Sequence, residues 1–187
     1  MTVSAESIAA AIRSAEGRGL PPVERWNPPF CGDLDMRIAR DGTWYYLGTP
    51  IGRAPLVRLF STVLKREGER YFLVTPVEKV GITVDDAPFL AVDFDVEGEG
   101  EAQALTFLTS VGDRVTADAD HPIRVETRDG EPAPYVEVRA GLEALIDRKS
   151  FFRLVDHATT WEIDGEAVFG VWSGGTFFEI AKTTDLD

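Results

Sequence analysis

The segment Thr49-Pro50-Ile51-Gly52-Arg53-Ala54-Pro55 joins a glycine and an arginine to the start of a predicted helix. Backbone N–H groups at a helix start attract anions, and a glycine lets a ligand approach the chain closely. Arg53 adds a forked donor suited to phosphate or carboxylate, and Arg37 and Arg58 lie near it in sequence. Trp44 and Tyr46 fall on one face of a predicted strand and Tyr45 on the other, so an aromatic face beside arginines could stack a nucleobase. The structural alternative for the same residues is an ion pair from the arginine to Asp33 or Asp35, with the aromatic rings in the core. The expected ligand-binding set is therefore Arg37, Trp44, Tyr46, Gly52, Arg53 and Arg58.

Other chemistry is weakly represented. The sequence has no P-loop, no complete Gly-x-Gly-x-x-Gly and no Cys-x-x-Cys. His121 and His157 are its only histidines and, with the single Cys31, make a poor zinc set. No catalytic residue, metal site or cofactor is expected. Asp118, Asp120 and His121 read as a solvated turn before Pro122, and Cys31 as a buried structural cysteine. Ser173 lacks the glycine two residues before it that a nucleophile elbow requires, so Ser173-Gly174-Gly175 reads as a hairpin turn. Asp33 and Asp35, two residues apart on one strand face, are the pair on which a carboxylate-dependent hydrolase would rest.

These residues must be positioned by a largely β framework. Ser4 can cap a helix over 4–16, with Ile8, Ala11, Ile12 and Ala15 as its apolar stripe. Leu34 to Gly48 reads as a β-hairpin turning at Asp41-Gly42. Leu56, Leu59, Phe60, Val63 and Leu64 predict a helix over 55–66. Strands are predicted at 70–75, 80–84, 89–97, 103–109, 122–127, 134–139, 151–156, 160–163, 167–172 and 176–181, with a short helix at 140–147. Residues 91–97 alternate Val92, Phe94 and Val96 with acidic residues, a half-buried strand rather than a calcium loop.

A weak repeat runs through the chain. Tyr71-Phe72 and Phe151-Phe152, and likewise Phe89 and Phe169, lie 80 apart. Asp41-Gly42 and Asp129-Gly130 each precede a strand and then a helix. Duplicated strand–helix–strand units explain this order. The fold class expected is α+β, mostly antiparallel, divided into an N-terminal helix (1–19), an α+β domain (20–84) and a β-rich domain (85–187). Ligands often settle where such halves meet.

Bulk composition narrows the partners. The 187 residues carry a formal charge of −13, and the excess sits in the second half: residues 91–187 hold 8 Lys+Arg against 21 Asp+Glu. A duplex nucleic acid needs a basic stripe, which this half lacks. An anionic ligand must lean on arginines of the first half, whereas the acidic half would suit a basic protein partner. No apolar run is long enough for a membrane-spanning helix, and the N-terminus lacks a basic start followed by an apolar run. With one cysteine, the cytoplasm is the expected compartment.

Cys31-Gly32-Asp33-Leu34-Asp35-Met36-Arg37-Ile38, Asp41 to Tyr46 and Thr49 to Arg53 resemble the signature of the bacterial family called domain of unknown function 1285. Leu73 to Glu78, Asp86 to Phe89, Pro134 to Arg139 and Gly141 to Ala144 continue the resemblance over roughly residues 20–180. It implies a duplicated α+β core, a C-terminal half loosely similar to pleckstrin-homology domains, and a nucleotide-like ligand between the halves in a signalling role. The resemblance brings no catalytic residues. The leading expectation is a ligand-binding regulatory protein with a small anionic, nucleotide-type ligand. A protein-interaction module with an acidic C-terminal half, and a hydrolase, are the alternatives.

Overall fold

Ser4 caps helix α1 (Ala5–Ser14) in the computed structural model, which describes residues 2–15 and 17–185. The Ser4 side chain accepts from the Ser7 N–H at 3.1 Å, and the Ser7 hydroxyl is bonded back to the Ser4 backbone, so two orphan donors are met within the first turn. The predicted helix end at residue 16 lies outside the described residues. Ile8 and Ile12 are buried as α1 packs on α2 (Ala54–Ser61). Each fully buried isoleucine contributes roughly 1.5–3 kcal/mol, and that docking makes a short alanine-rich helix persist.

The chain divides into two compact units, up to Pro88 and from Phe89. The first unit holds β1 (Phe30–Ile38), β2 (Trp44–Tyr46), β3 (Thr49–Pro50), β4 (Leu64–Glu67), β5 (Arg70–Val74) and β6 (Lys79–Val84). They form one sheet in the order β3-β2-β1-β6-β5-β4. Two antiparallel meanders, β1 to β3 and β4 to β6, are joined by the parallel pair β1·β6. The Asp41-Gly42 turn forms as predicted: Asp41 accepts from the Thr43 N–H at 2.9 Å, and Gly42 takes φ 86°.

Helix α2 ends at Ser61, five residues before the predicted bound at 66. The Ser61 and Thr62 hydroxyls donate to the Arg58 and Leu59 carbonyls at 2.7 and 2.6 Å. They satisfy the last turn, and Val63 and Leu64 are buried as the chain runs into β4 rather than as a helix face.

The second unit repeats the scheme. Its strands are β7 (Phe89–Glu97), β8 (Ala104–Thr109), β9 (Arg114–Thr116), β10 (Ile123–Arg128), β11 (Glu131–Arg139) and β12 (Leu142–Ile146), ordered β10-β11-β12-β7-β8-β9. Again two meanders meet through a parallel pair between the first and sixth strands, here β7·β12. The duplication is thus real, but its phase differs from the one the sequence suggests. Under the shared sheet order β1 corresponds to β7, both nine residues beginning with phenylalanine, while Tyr71-Phe72 lies in a strand and Phe151-Phe152 in a helix.

That helix, α3 (Arg148–Asp156), replaces the strand predicted at 151–156, and β12 replaces the helix predicted at 140–147. Asp147 is the cause of the first: its carboxylate accepts from the Ser150 N–H at 2.8 Å and starts a helix. Ala144-Leu145-Ile146 is buried throughout, as an apolar run paired in parallel with β7 must be. After α3 come β13 (Thr159–Ile163), β14 (Glu166–Ser173) and β15 (Thr176–Lys182), a separate antiparallel sheet.

Candidate functional site

The six residues expected to bind a ligand do not converge. Arg37 pairs with Tyr45 across β1 and β2, and its guanidinium lies 4.5 Å from the Tyr45 ring centroid while holding an ion pair to Asp85. The period-two alternation of β2 puts Trp44 and Tyr46 on the opposite face. Trp44 is 2% exposed and stacked on Phe60 at 6.3 Å, so it offers no face to a base. The Tyr46 hydroxyl accepts from the Ala5 N–H at 3.3 Å and anchors α1. Arg53 is the N-cap of α2, without a side-chain cap bond, and is exposed, as are Gly52 and Arg58.

The other singled-out groups are structural. Ser173, far from being a free hydroxyl, is fully buried: it donates to the Ala117 carbonyl at 2.7 Å and accepts from the Leu105 N–H at 2.9 Å. Gly174 and Gly175, at φ 56° and 77°, form the two-residue turn after it. Cys31 is exposed, not buried. It lies near the start of β1, ahead of the hairpin pairing that buries Met36 and Ile38. Asp33 accepts from Arg70 at 2.7 Å. Asp118 accepts from the backbone of Asp120 and His121 and from the His121 ring. Burial alone would raise its pKa, but these bonds outweigh it and lower it. On β7, Asp93 is bonded to Arg153 and Asp95 to Arg114; the Arg153 bond, then the Phe94 N–H, hold Asp93 below its ordinary value.

A more developed site lies within the second unit. A groove of about 470 Å³ is lined by Glu101, Gln103, His157, Thr159, Trp161 and Trp172, among others. Trp161 is 41% exposed. Trp161 and Trp172 meet edge to face at 5.2 Å and Trp172 and Phe177 at 5.3 Å, while Trp161 and Phe177 are tilted at 6.5 Å. Two tight turns build this cluster. Asp164-Gly165 sets Trp161 opposite Val168, and Gly174-Gly175 sets Trp172 opposite Phe177. The three rings share one sheet face, over Gly170, where a Cβ would lie 2.8 Å from the Phe177 ring. The other face carries Val171 and Ser173, which are buried.

Gln103 fixes one wall. It is 7% exposed and its Nε2 donates to the Trp172 carbonyl at 2.8 Å, while its backbone carbonyl accepts from the Gly174 N–H at 3.0 Å. His157, at the end of α3, stands edge-on to Phe94 at 6.1 Å. The sequence shows the three aromatics on predicted strands; only the turn-fixed register shows that they align.

Residues 21–87 match the N-terminal domain, and residues 88–180 the C-terminal domain, of the domain of unknown function DUF1285. The chain belongs to the DUF1285 family. A crystal structure of a DUF1285 family protein from Silicibacter pomeroyi is 58% identical, with a TM-score of 0.88 over 96% of this chain and 97% of that one. A second, from Shewanella baltica, is 31% identical, with a TM-score of 0.53 over 65% of this chain and 91% of that one. No curated protein matches the sequence. Among the described residues no helix is long and apolar enough to cross a membrane.

Proposed function

We propose that this DUF1285 protein binds a ligand rather than transforming one, and that it does so in the aromatic groove of the second unit. The observation that carries this reading is the pair Trp161 and Trp172 held at the wall of a 470 Å³ groove. Concave sites with aromatic walls and a few placed polar groups are the usual receptacles for ligands. A binding role suits a regulatory or signalling protein. Support for a small anionic ligand in the first unit is narrower: it reduces to the exposed Gly52-Arg53 pair at the start of α2.

A thermal-shift screen of the whole protein against nucleotides, simple anions, amines and sugars separates the two. A ligand at 100 times its Kd stabilises by about 2.7 kcal/mol, a shift of roughly 5–10 °C for a chain of this size. A shift lost in Trp161→Ala and kept in Arg53→Ala supports the groove. A shift lost only in Arg53→Ala supports the anionic site. Failure of every compound on the panel counts against both.

A further inference from the structure

We infer that the groove receives a lysine or arginine side chain from an extended, basic segment of a partner protein lying along β13. The inference rests on reading the groove as the binding site, and three observations carry it.

The first is the contrast with four other aromatic rings of this unit, each of which has an arginine over it. Arg124 lies over Tyr135 at 4.3 Å, Arg153 over Phe94 at 4.5 Å, Arg139 over Phe89 at 4.9 Å and Arg148 over Phe152 at 5.5 Å. Among the described residues no Lys or Arg lies over Trp161, Trp172 or Phe177. Indole is the ring that attracts a cation most strongly, so the strongest cation acceptors of this unit are left without one. Among the described residues no lysine or arginine lines the groove, whereas Glu101 does.

Charge complementarity points the same way. The chain from residue 89 onward carries 8 Lys+Arg against 21 Asp+Glu. Asp156 and Glu162, each next in sequence to a groove residue, and Asp164, in the turn after β13, are exposed. Their summed field repels an anion and draws in a basic segment.

The third observation distinguishes a chain from a small cation. β13 is the edge of its sheet, and all five of its residues are exposed. The apolar surface runs on past the groove to Ile163, 40% exposed, which a small ammonium compound would leave uncovered. An edge strand offers a row of free N–H and C=O groups to an added strand, and alternate side chains of that strand reach one face. A basic residue facing the sheet would then meet Trp161, with Glu101 nearby.

The test titrates the whole protein with a short synthetic peptide alternating lysine and threonine, followed by tryptophan fluorescence. Its controls are the peptide with glutamate for lysine, and tetramethylammonium chloride. The inference expects binding of the lysine peptide that weakens with salt, at least about tenfold loss in Trp161→Ala, a smaller loss in Trp161→Phe, and a loss in Glu101→Gln. Trp161→Ala should keep its thermal transition, since the ring is at the surface. Equal binding of the glutamate peptide, or unchanged affinity in a folded Trp161→Ala, overturns the inference. So does tetramethylammonium binding as tightly as the peptide. If a neutral or anionic compound binds in the groove while the lysine peptide does not, only the basic-segment inference fails. If nothing perturbs Trp161, the groove reading itself fails.

Discussion

Two glycines show how differently the same residue type can be constrained. At Gly170 a Cβ would stand 2.2 Å from the Phe178 carbonyl oxygen and 2.8 Å from the Phe177 ring. The carbonyl belongs to a paired strand and cannot swing aside, so Gly170→Ala must push β15 away. It should cost about 1–3 kcal/mol, as overpacking does, and it should disturb the Phe177 end of the aromatic cluster. At Gly52 nothing lies within 4 Å and φ is not positive, so Gly52→Ala should stay within about 0.5 kcal/mol of the parent. Urea unfolding of the two variants measures both. Trp44 stands at the other extreme: Trp44→Ala would remove the ring stacked on Phe60, at about 3–5 kcal/mol, a loss of fold and not of a ligand contact.

Ser173 does its work between elements. Its hydroxyl joins β14 to Leu105 on β8 and to Ala117 beyond β9, tying the three-stranded sheet to the six-stranded one within the second unit. Ser173→Ala leaves a buried N–H and a buried carbonyl without their partner, at about 1–3 kcal/mol in urea unfolding. Elements defined by their own residues were legible in the sequence: the Asp41-Gly42 hairpin, the Ser4 cap and the alternating strand at 91–97. Elements decided by neighbours were not. Val63 and Leu64 fit a helical stripe, yet two hydroxyls end α2 before them. Residues 142–146 read as a helix because parallel pairing to β7, which buries both faces, leaves no alternation to see. The candidate site was the least legible part, because Trp161, Trp172 and Phe177 align only through two turn registers. Arg37 and Trp44 look adjacent in sequence but lie on opposite faces of the hairpin.

At the scale of the whole molecule, acid should act in two opposed ways. The chain carries a formal charge of −13 at pH 7, with a pI near 4.6. Lowering the pH from neutrality reduces the net negative charge and relieves self-repulsion, which stabilises the compact state. Two carboxylates held below their ordinary values, Glu67 and Asp93, respond later. Hydrogen bonding from Lys79 lowers the pKa of Glu67 below its ordinary 4.5, and that from Arg153 lowers Asp93 below 3.8. A carboxyl whose folded pKa is depressed contributes stability that is present above its unfolded value and lost as pH falls through the folded one. These contributions therefore remain intact while repulsion is relaxing and disappear only below about pH 4.5. The melting temperature should peak on the acid side of neutrality, at about pH 5–6, and fall steeply below that window. Calorimetry of Asp93→Asn against the parent isolates one pair. The variant should melt lower at pH 7 and converge with the parent in acid, where Asp93 is protonated in both the folded and unfolded chain. A gap that stays constant down to pH 2 would assign the loss to packing at that position instead of to the Arg153 pair.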